Sequence, residues 1–210
     1  MTSVTAIIFI MKNNSLKEII GNTDIYLLDQ ILKSRYNEND KILDVGCGKG
    51  RNIHWFYYNG FDIYGIDKNE ESIDIVKKNY SKLASNFSVS EVEHLSFKNE
   101  TFNHIICNAV LHFAENTEHF LAMFSEMIRV LKTKGTLFIR MASNIGIEEK
   151  IKLISEGIYL LSDTSHRFLL TRSLLEEIMS IHKLTFLEPL KTVNVNDLRC
   201  MTTLVLQKQK

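Results

Sequence analysis

The stretch Lys41-Ile42-Leu43-Asp44-Val45-Gly46-Cys47-Gly48-Lys49-Gly50 constrains this chain more than any other. Apolar Ile42, Leu43 and Val45 read as a short buried strand, which Gly46 ends. Glycine at 46, 48 and 50 lets the backbone turn sharply and lets a ligand lie directly on the main chain. Arg51-Asn52-Ile53-His54-Trp55-Phe56 reads as a helix start, whose free N–H groups face that ligand. Strand, glycine loop and helix start together predict a site for a nucleotide-like cofactor.

Strand and helix signals then alternate. Strands are predicted over 41–45, 61–67, 86–90, 101–108 and 136–139, with helices over 51–59, 70–84 and 117–131 between them. Acids open the helix at Glu70, and Lys77, Lys78 and Lys82 lie late in it, matching the helix dipole. Phe120, Leu121, Phe124, Met127, Ile128 and Leu131 share one face of the 117–131 helix. Upstream, Ser15-Leu16-Lys17-Glu18 has capping-box form, Gly21-Asn22 interrupts that helix, and Thr23 or Asp24 restarts it with Leu27, Leu28, Ile31 and Leu32 on one face. Ser173-Leu174-Leu175-Glu176 has the form of a second capping box, for a helix running to about His182. Segments 184–195 and 199–206 read as two strands joined through Asn194-Val195-Asn196-Asp197, a connection short enough to force antiparallel pairing. Alternation over 41–140 predicts a doubly wound α/β sheet, parallel and with right-handed crossovers.

At 210 residues the chain suits one domain. Its 25 basic and 25 acidic residues cancel, which disfavours a nucleic-acid partner. Cys47, Cys107 and Cys200 lie far apart, as buried thiols in a reducing, cytoplasmic setting do. The apolar run from Val4 to Met11 is shorter than the about 20 residues that span a bilayer, and it lacks the basic flank of a signal peptide. No membrane association is expected. Met11, followed by Lys12-Asn13-Asn14, reads as a second plausible initiator, so 1–14 is expected to be a disordered or over-extended start and 15–210 a single domain.

In doubly wound sheets a ligand lies beyond the carboxyl ends of the strands, where this chain places residues 46–50, Asp67, Glu91 and Asn108. Asp67 ends its strand where a carboxylate accepts ribose hydroxyls, a feature of dinucleotides and of S-adenosylmethionine alike. The glycine spacing helps to choose. Dinucleotide loops read GxGxxG, whereas this one reads GxGxG with Arg51 in place of the last glycine.

With these residues the chain resembles the class I S-adenosylmethionine-dependent methyltransferases, of the type 11/25-like domain. Ile42 to Gly50 matches the family's first motif, Gly65-Ile66-Asp67 its second, and Ser90 to Phe97 the segment whose acid meets the adenine amino group. Phe102 to His112 resembles the fourth-strand motif and Arg129 to Gly135 the turn before strand five. The resemblance covers about 23–206 and implies a Rossmann-like sheet of seven strands in the order 3-2-1-4-5-7-6, the last antiparallel, with helices on both faces. It implies S-adenosyl-L-methionine as cofactor, with S-adenosyl-L-homocysteine as product. By the same resemblance Gly46, Gly48 and Gly50 admit the methionine portion and Asp44 anchors its ammonium. Asp67 holds the ribose, Glu91 with the Val92 amide reads adenine, and Asn108 and Ala109 line the methionine side. Cys47, Asn52 and Lys68 complete the expected cofactor set. Asn103 and Ser96 depart from the family pattern, which often has aspartate and proline there. Gly50-Arg51-Asn52, Asn59-Gly60-Phe61-Asp62 and Asp67-Lys68-Asn69 are also similar to the tellurite and thiol-type methyltransferases.

A sulfonium methyl is already activated, so alignment of a nucleophile is the main task, worth ~7–11 kcal/mol. His112, just past strand four, is the candidate general base should the acceptor need to lose a proton. His119 reads as solvated, and His54, His94 and His104 form no metal-ligand spacing, so no metal is expected. The acceptor is expected to be a small molecule held by an insert at about 143–170, with a helical middle from Ile147 to Leu161 serving as a lid or as an ordinary crossover. Arg140, His166 and Arg167, with Arg172, are candidate contacts to it, the arginines suiting an anionic group. Strand four ends Asn108-Ala109-Val110-Leu111 and lacks the DPPY-like sequence of base N-methylating enzymes. An RNA or protein acceptor, or a nicotinamide nucleotide bound without methyl transfer, are the alternatives. Monomer and homodimer both remain open.

Overall fold

Period-two burial builds the sheet. A computed structural model describes residues 16–210. In β1 (Lys41–Val45) Leu43 and Val45 enter one core and Ile42 the other. The same alternation recurs in β4 (Phe102–Asn108), β5 (Leu131–Ser143) and β11 (Arg199–Lys208), where Ile106, Phe138 and Val205 join Ile42. Helices cover both faces. On one, α5 (Thr117–Val130) and α6 (Arg172–Ile181) bury Phe120, Phe124, Met127 and Ile178. On the other, α2 (Ile25–Leu32), α3 (His54–Tyr58) and α4 (Glu70–Asn79) contribute Leu27, Phe56, Ile73 and Val76. A short α1 (Leu16–Ile20) packs beside α3.

The sheet runs β3 (Phe87–Val89), β2 (Asp62–Asp67), β1, β4, β5, β11 and then β10 (Lys191–Val195). Parallel pairing holds from β3 to β5, and β11 pairs antiparallel with β5 from Thr136 to Ser143. The predicted order stands, with one refinement. The sixth strand divides into β9 (Leu184–Phe186) and β10, both antiparallel to β11. Pro189 lies in the break and offers no N–H to a ladder.

Several boundaries move. Strand five extends to Ser143 because β11 supplies partners along that whole length. The predicted helix over 70–84 stops at Asn79 and continues as a 3-10 segment, Ser81–Asn86. The cap of α6 is Thr171, not Ser173: its hydroxyl accepts the Leu174 N–H at 3.1 Å, so the helix begins at Arg172. The Ser15 cap, the Val4 to Met11 run and the predicted disorder of 1–14 lie outside the described residues.

The largest correction concerns 143–170. The predicted helix over 147–161 is absent, and β6 (Lys152–Ser155), β7 (Ile158–Leu160) and β8 (His166–Phe168) form a three-stranded antiparallel sheet. Isoleucines at 151, 154 and 158 suit strands as well as helices, and the turn decides. Gly157 has φ +88°, which bends the chain into a hairpin and would interrupt any helix. Phe168 anchors this sheet, its buried ring stacked at 4.8 Å on Phe120 of α5. A Cβ at Gly157 would lie 2.3 Å from the Phe168 ring. Gly157→Ala is therefore expected to cost about 1–3 kcal/mol by strain at that backbone angle and by displacing Phe168. Hydrogen exchange should show the loss of protection confined to 152–168, and a uniform loss through α5 and β4 would refute this local coupling.

Candidate active site

The glycine loop is held by its neighbours' backbone before any ligand enters. The Cys47 N–H donates to the Ile66 carbonyl at 2.8 Å, and the Gly48 N–H to Asp67 Oδ2 at 2.8 Å. Turns close from Gly50 to Cys47 and from Ile53 to Gly50, so α3 starts at His54, three residues later than the sequence suggests. Two glycines have different reasons. At Gly50, φ +86°, a Cβ would lie 2.4 Å from Tyr80, whose hydroxyl donates to the Gly50 carbonyl. At Gly48, φ +52°, a Cβ would meet nothing within 4 Å, so this face of the loop is open. Cys47 lies buried behind the loop, its Sγ close to Gly65. Burial pushes its thiol up, the reverse of the lowering that a helix N-terminus would give.

Beside the loop stand two buried polar side chains with no hydrogen-bond partner among the described residues. Asp44 is 1% exposed, and neither carboxylate oxygen accepts a hydrogen bond. Burial raises its pKa to about 8, with Arg51 opposing and Asp67 adding to the rise. Asn108, 6% exposed, leaves both amide atoms unpaired at the end of β4. Orphaned buried groups cost about 1–3 kcal/mol each and normally find partners, so two side by side mark a missing ligand. Ala109 follows with φ +64°, a strained angle for a residue with a Cβ, held by its N–H donating to the Arg140 carbonyl at 2.7 Å.

Asp67, at the end of β2, accepts the Gly48 and Asn69 N–H groups through Oδ2 and Oδ1. Each oxygen keeps a second lone pair. Glu91 is exposed past β3 and Val92 buried behind it. Lys68 is exposed. Asn52 is buried, and its Oδ1 accepts the Asp24 N–H at 3.1 Å, which ties α2 to the loop.

On the far side of Asn108, the 3-10 segment Leu111–Phe113 carries His112. Its Nδ1 accepts the Ala142 N–H at 3.4 Å, which leaves the proton of the neutral ring on Nε2. Burial, reinforced by Arg167, Arg140 and Arg199, pulls its pKa down to about 4. The ring is thus neutral at pH 7 and a weak base. Arg140 donates to Asp24 Oδ2 at 3.3 Å and lies over the Tyr26 ring at 5.1 Å. Arg167, in β8, lies over the Phe113 ring at 5.3 Å, whereas His166 is exposed. Arg172 lies elsewhere, in a groove with Met179 and Phe186.

Asp24, Tyr26 and Arg199 join the site without any local signal in the sequence. Arg199 arrives because antiparallel β11 brings the neighbouring Cys200 opposite Ser143. Asp24 is legible only as a helix cap, which it also is, through the Tyr26 N–H. Conversely, Asn103 is structural: its Oδ1 accepts from the Lys41 N–H and Lys132 Nζ. His119 is not merely solvated but pairs with Glu93 at 3.2 Å.

Open glycine backbone, a buried acid that a cation would satisfy, an amide beside it and a carboxylate at the next strand end fit the methionyl and ribosyl parts of S-adenosylmethionine. Comparisons with known proteins agree. Residues 43–139 match the family model of a methyltransferase domain. The chain is 30% identical over 122 residues to an uncharacterized methyltransferase of Bacillus subtilis, YodH, covering 57% of this chain and 48% of that protein. It is 29% identical over 118 residues to the ubiquinone biosynthesis O-methyltransferase of Rickettsia bellii, covering 54% and 47% respectively. The chain thus spans about half the length of the curated relatives it matches. A solved S-adenosylmethionine-dependent methyltransferase of Methanosarcina mazei shares the fold, with TM-score 0.68 at 20% identity over 85% of this chain and 97% of that one. Residues 43–139 are thus similar to a methyltransferase domain, and the fold is that of solved S-adenosylmethionine-dependent methyltransferases.

Proposed function

We propose that this protein transfers the methyl group of S-adenosylmethionine to a small-molecule acceptor by in-line substitution. The observation that carries the donor half is the unpartnered pair Asp44 and Asn108 beside the open face of Gly48. A small acceptor is supported by the cover over the β5 end. There β8 packs on the 111–113 segment, Phe168 is buried, and Ser143 bridges Leu170. A strand end covered in this way suits a molecule that can be partly enclosed rather than a macromolecular surface.

When bound, the cofactor supplies a methyl already activated by its sulfonium. Asp44 would take the ammonium, Asn108 and the Ala109 backbone the methionine side, Asp67 the ribose hydroxyls, and Glu91 with the Val92 amide the adenine. His112, neutral with its proton on Nε2, would donate a hydrogen bond that orients the acceptor. Alignment then supplies most of the rate, on the order of 7–11 kcal/mol.

The carboxyl of Asp44 gives a pH signature with a definite sign. A carboxyl raised to about 8 is mostly protonated at pH 7 in the ligand-free protein. Between the ordinary carboxylate range and pH 8 the folded chain therefore holds a proton that the unfolded chain has lost, so ligand-free stability falls as pH rises. A bound ammonium favours the carboxylate and releases that proton, so affinity should rise with pH up to about 8. Calorimetry of S-adenosylhomocysteine at pH 7, in buffers of different ionisation enthalpy, should show release approaching one proton per site. Asp44→Asn should abolish the release, weaken binding by about tenfold or more, and raise the thermal midpoint of the free protein at pH 8–9. Release unchanged in Asp44→Asn would overturn the assignment.

Activity is tested by S-adenosylhomocysteine formation with thiols, amines, carboxylates, phenols and metalloid oxyanions. Turnover with members of this panel is expected, and turnover only with tRNA or protein would sink the small-molecule reading. Selective binding of NADH would sink the donor reading. With positioning dominant, His112→Ala should lower kcat by less than about a hundredfold, below most of the 10²–10⁴ range expected of a general base.

A further inference from the structure

Three guanidinium groups, those of Arg140, Arg167 and Arg199, lie close enough to His112 to act on it, and they are poorly matched by carboxylates. Arg140 ends in a single contact to Asp24 at 3.3 Å, and its Nε is buried without a partner. Arg199 reaches Asp163 only at 3.8 Å, and Asp163 already accepts the Ser165 N–H and hydroxyl at 3.0 and 2.6 Å. Arg167 has no carboxylate within ion-pair distance among the described residues, and its Nη1 donates to the His166 carbonyl at 2.7 Å. With His112 neutral, three positive groups stand against two negative ones.

The elements place these groups together. His112 hangs from the Ala142 N–H, two residues past Arg140 on β5. Arg199 opens β11, beside Cys200 paired with Ser143. Arg167 stacks over Phe113, next to His112, whose ring is 4.5 Å from that of Phe113. Phe113 itself is 59% exposed, an apolar platform within the cationic wall. Above the Phe113 ring, Arg167 has Nη1 engaged by the His166 carbonyl and carries further N–H groups of the kind that a carboxylate accepts.

We infer that the methyl acceptor is a carboxylate-bearing small molecule with a flat apolar body, its carboxylate held by Arg167 and Arg199 and its body lying on Phe113. The inference rests on the methyl-transfer reading above and narrows its acceptor class. Arg140, already engaged by Asp24 and Tyr26, sets the charge of the wall rather than the main grip.

Matched pairs test it: benzoate against benzamide, hydroxybenzoates against their amides, and aliphatic carboxylates against theirs, each titrated with and without S-adenosylhomocysteine. At least one aromatic carboxylate should bind tenfold or more tighter than its amide, the preference weakening with added salt. In Arg167→Gln/Arg199→Gln that preference should shrink to within twofold, while S-adenosylhomocysteine affinity stays within twofold of the parent. Phe113→Ala should weaken aromatic members more than aliphatic ones. Amides binding as well as carboxylates throughout, or carboxylate binding unaltered by the double variant, would overturn the inference. Equal loss of S-adenosylhomocysteine affinity in the double variant would also overturn it, by assigning these arginines to the cofactor. Failure of the parent protein to bind S-adenosylhomocysteine would instead strike the donor reading, a separately visible result.

Discussion

The burial of Asp44 at the end of β1 is the constraint around which the rest is arranged. A carboxyl 1% exposed and without a hydrogen bond costs stability, and the fold tolerates it because two cores flank the same strand. Leu43 and Val45 face one core and Ile42 the other, so β1 is fixed from both sides before its polar end is counted. Burying one large apolar side chain is worth about 1.5–3 kcal/mol, so a few such residues offset one orphaned group. The cost is localised where a ligand can reverse it. Strain at Ala109 belongs to the same pattern: an unfavourable angle held by a hydrogen bond to Arg140.

The same strand ends explain why donor and acceptor sides behave differently. The candidate donor-side groups lie on β1, β2 and β4 and on the loops leaving these strands and β3, which parallel pairing brings to one edge in register. Their positions follow from the sheet order, and bonds such as that from the Gly48 N–H to the Asp67 carboxylate lock them. Acceptor-side groups come from β5, β8, β11 and the start of α2. The β5–β11 pairing, the Ser143–Leu170 bridge and the Phe120–Phe168 stack hold those pieces together. This half of the site can change its chemistry without disturbing the donor half.

That difference also decides what the sequence could reveal. Asp44, Gly48, Asp67 and Asn108 were legible because each lies at or just past a strand end whose pattern is local: apolar alternation, then a turn residue. The sheet order followed from strand–helix alternation together with the family resemblance. The small sheet over 152–168 was not legible, because its isoleucine spacing fits a helix and only the positive φ at Gly157 separates the two. Arg199 was hidden for a different reason. Its neighbour on β11 meets Ser143 of β5, a contact between segments far apart in sequence that no window can show. Arg172 was the converse error, an arginine near in sequence that the first turn of α6 carries away from the site.

His112 shows how position can turn one residue type toward another task. At the entrance to strand-four loops a histidine near pH 7 reads as a base. Here burial and the surrounding guanidinium groups remove its basicity, and the Ala142 N–H fixes the remaining proton on Nε2. The groups that disable the base are the ones that would attract an anion. A wall of arginines and a protonated histidine would repel each other at close range, so a cationic pocket keeps its histidine neutral. A neutral donor beside a carboxylate grip can orient an acceptor without competing for its charge. Burial thus sets the low basicity of His112, and the positive character of the acceptor side deepens it.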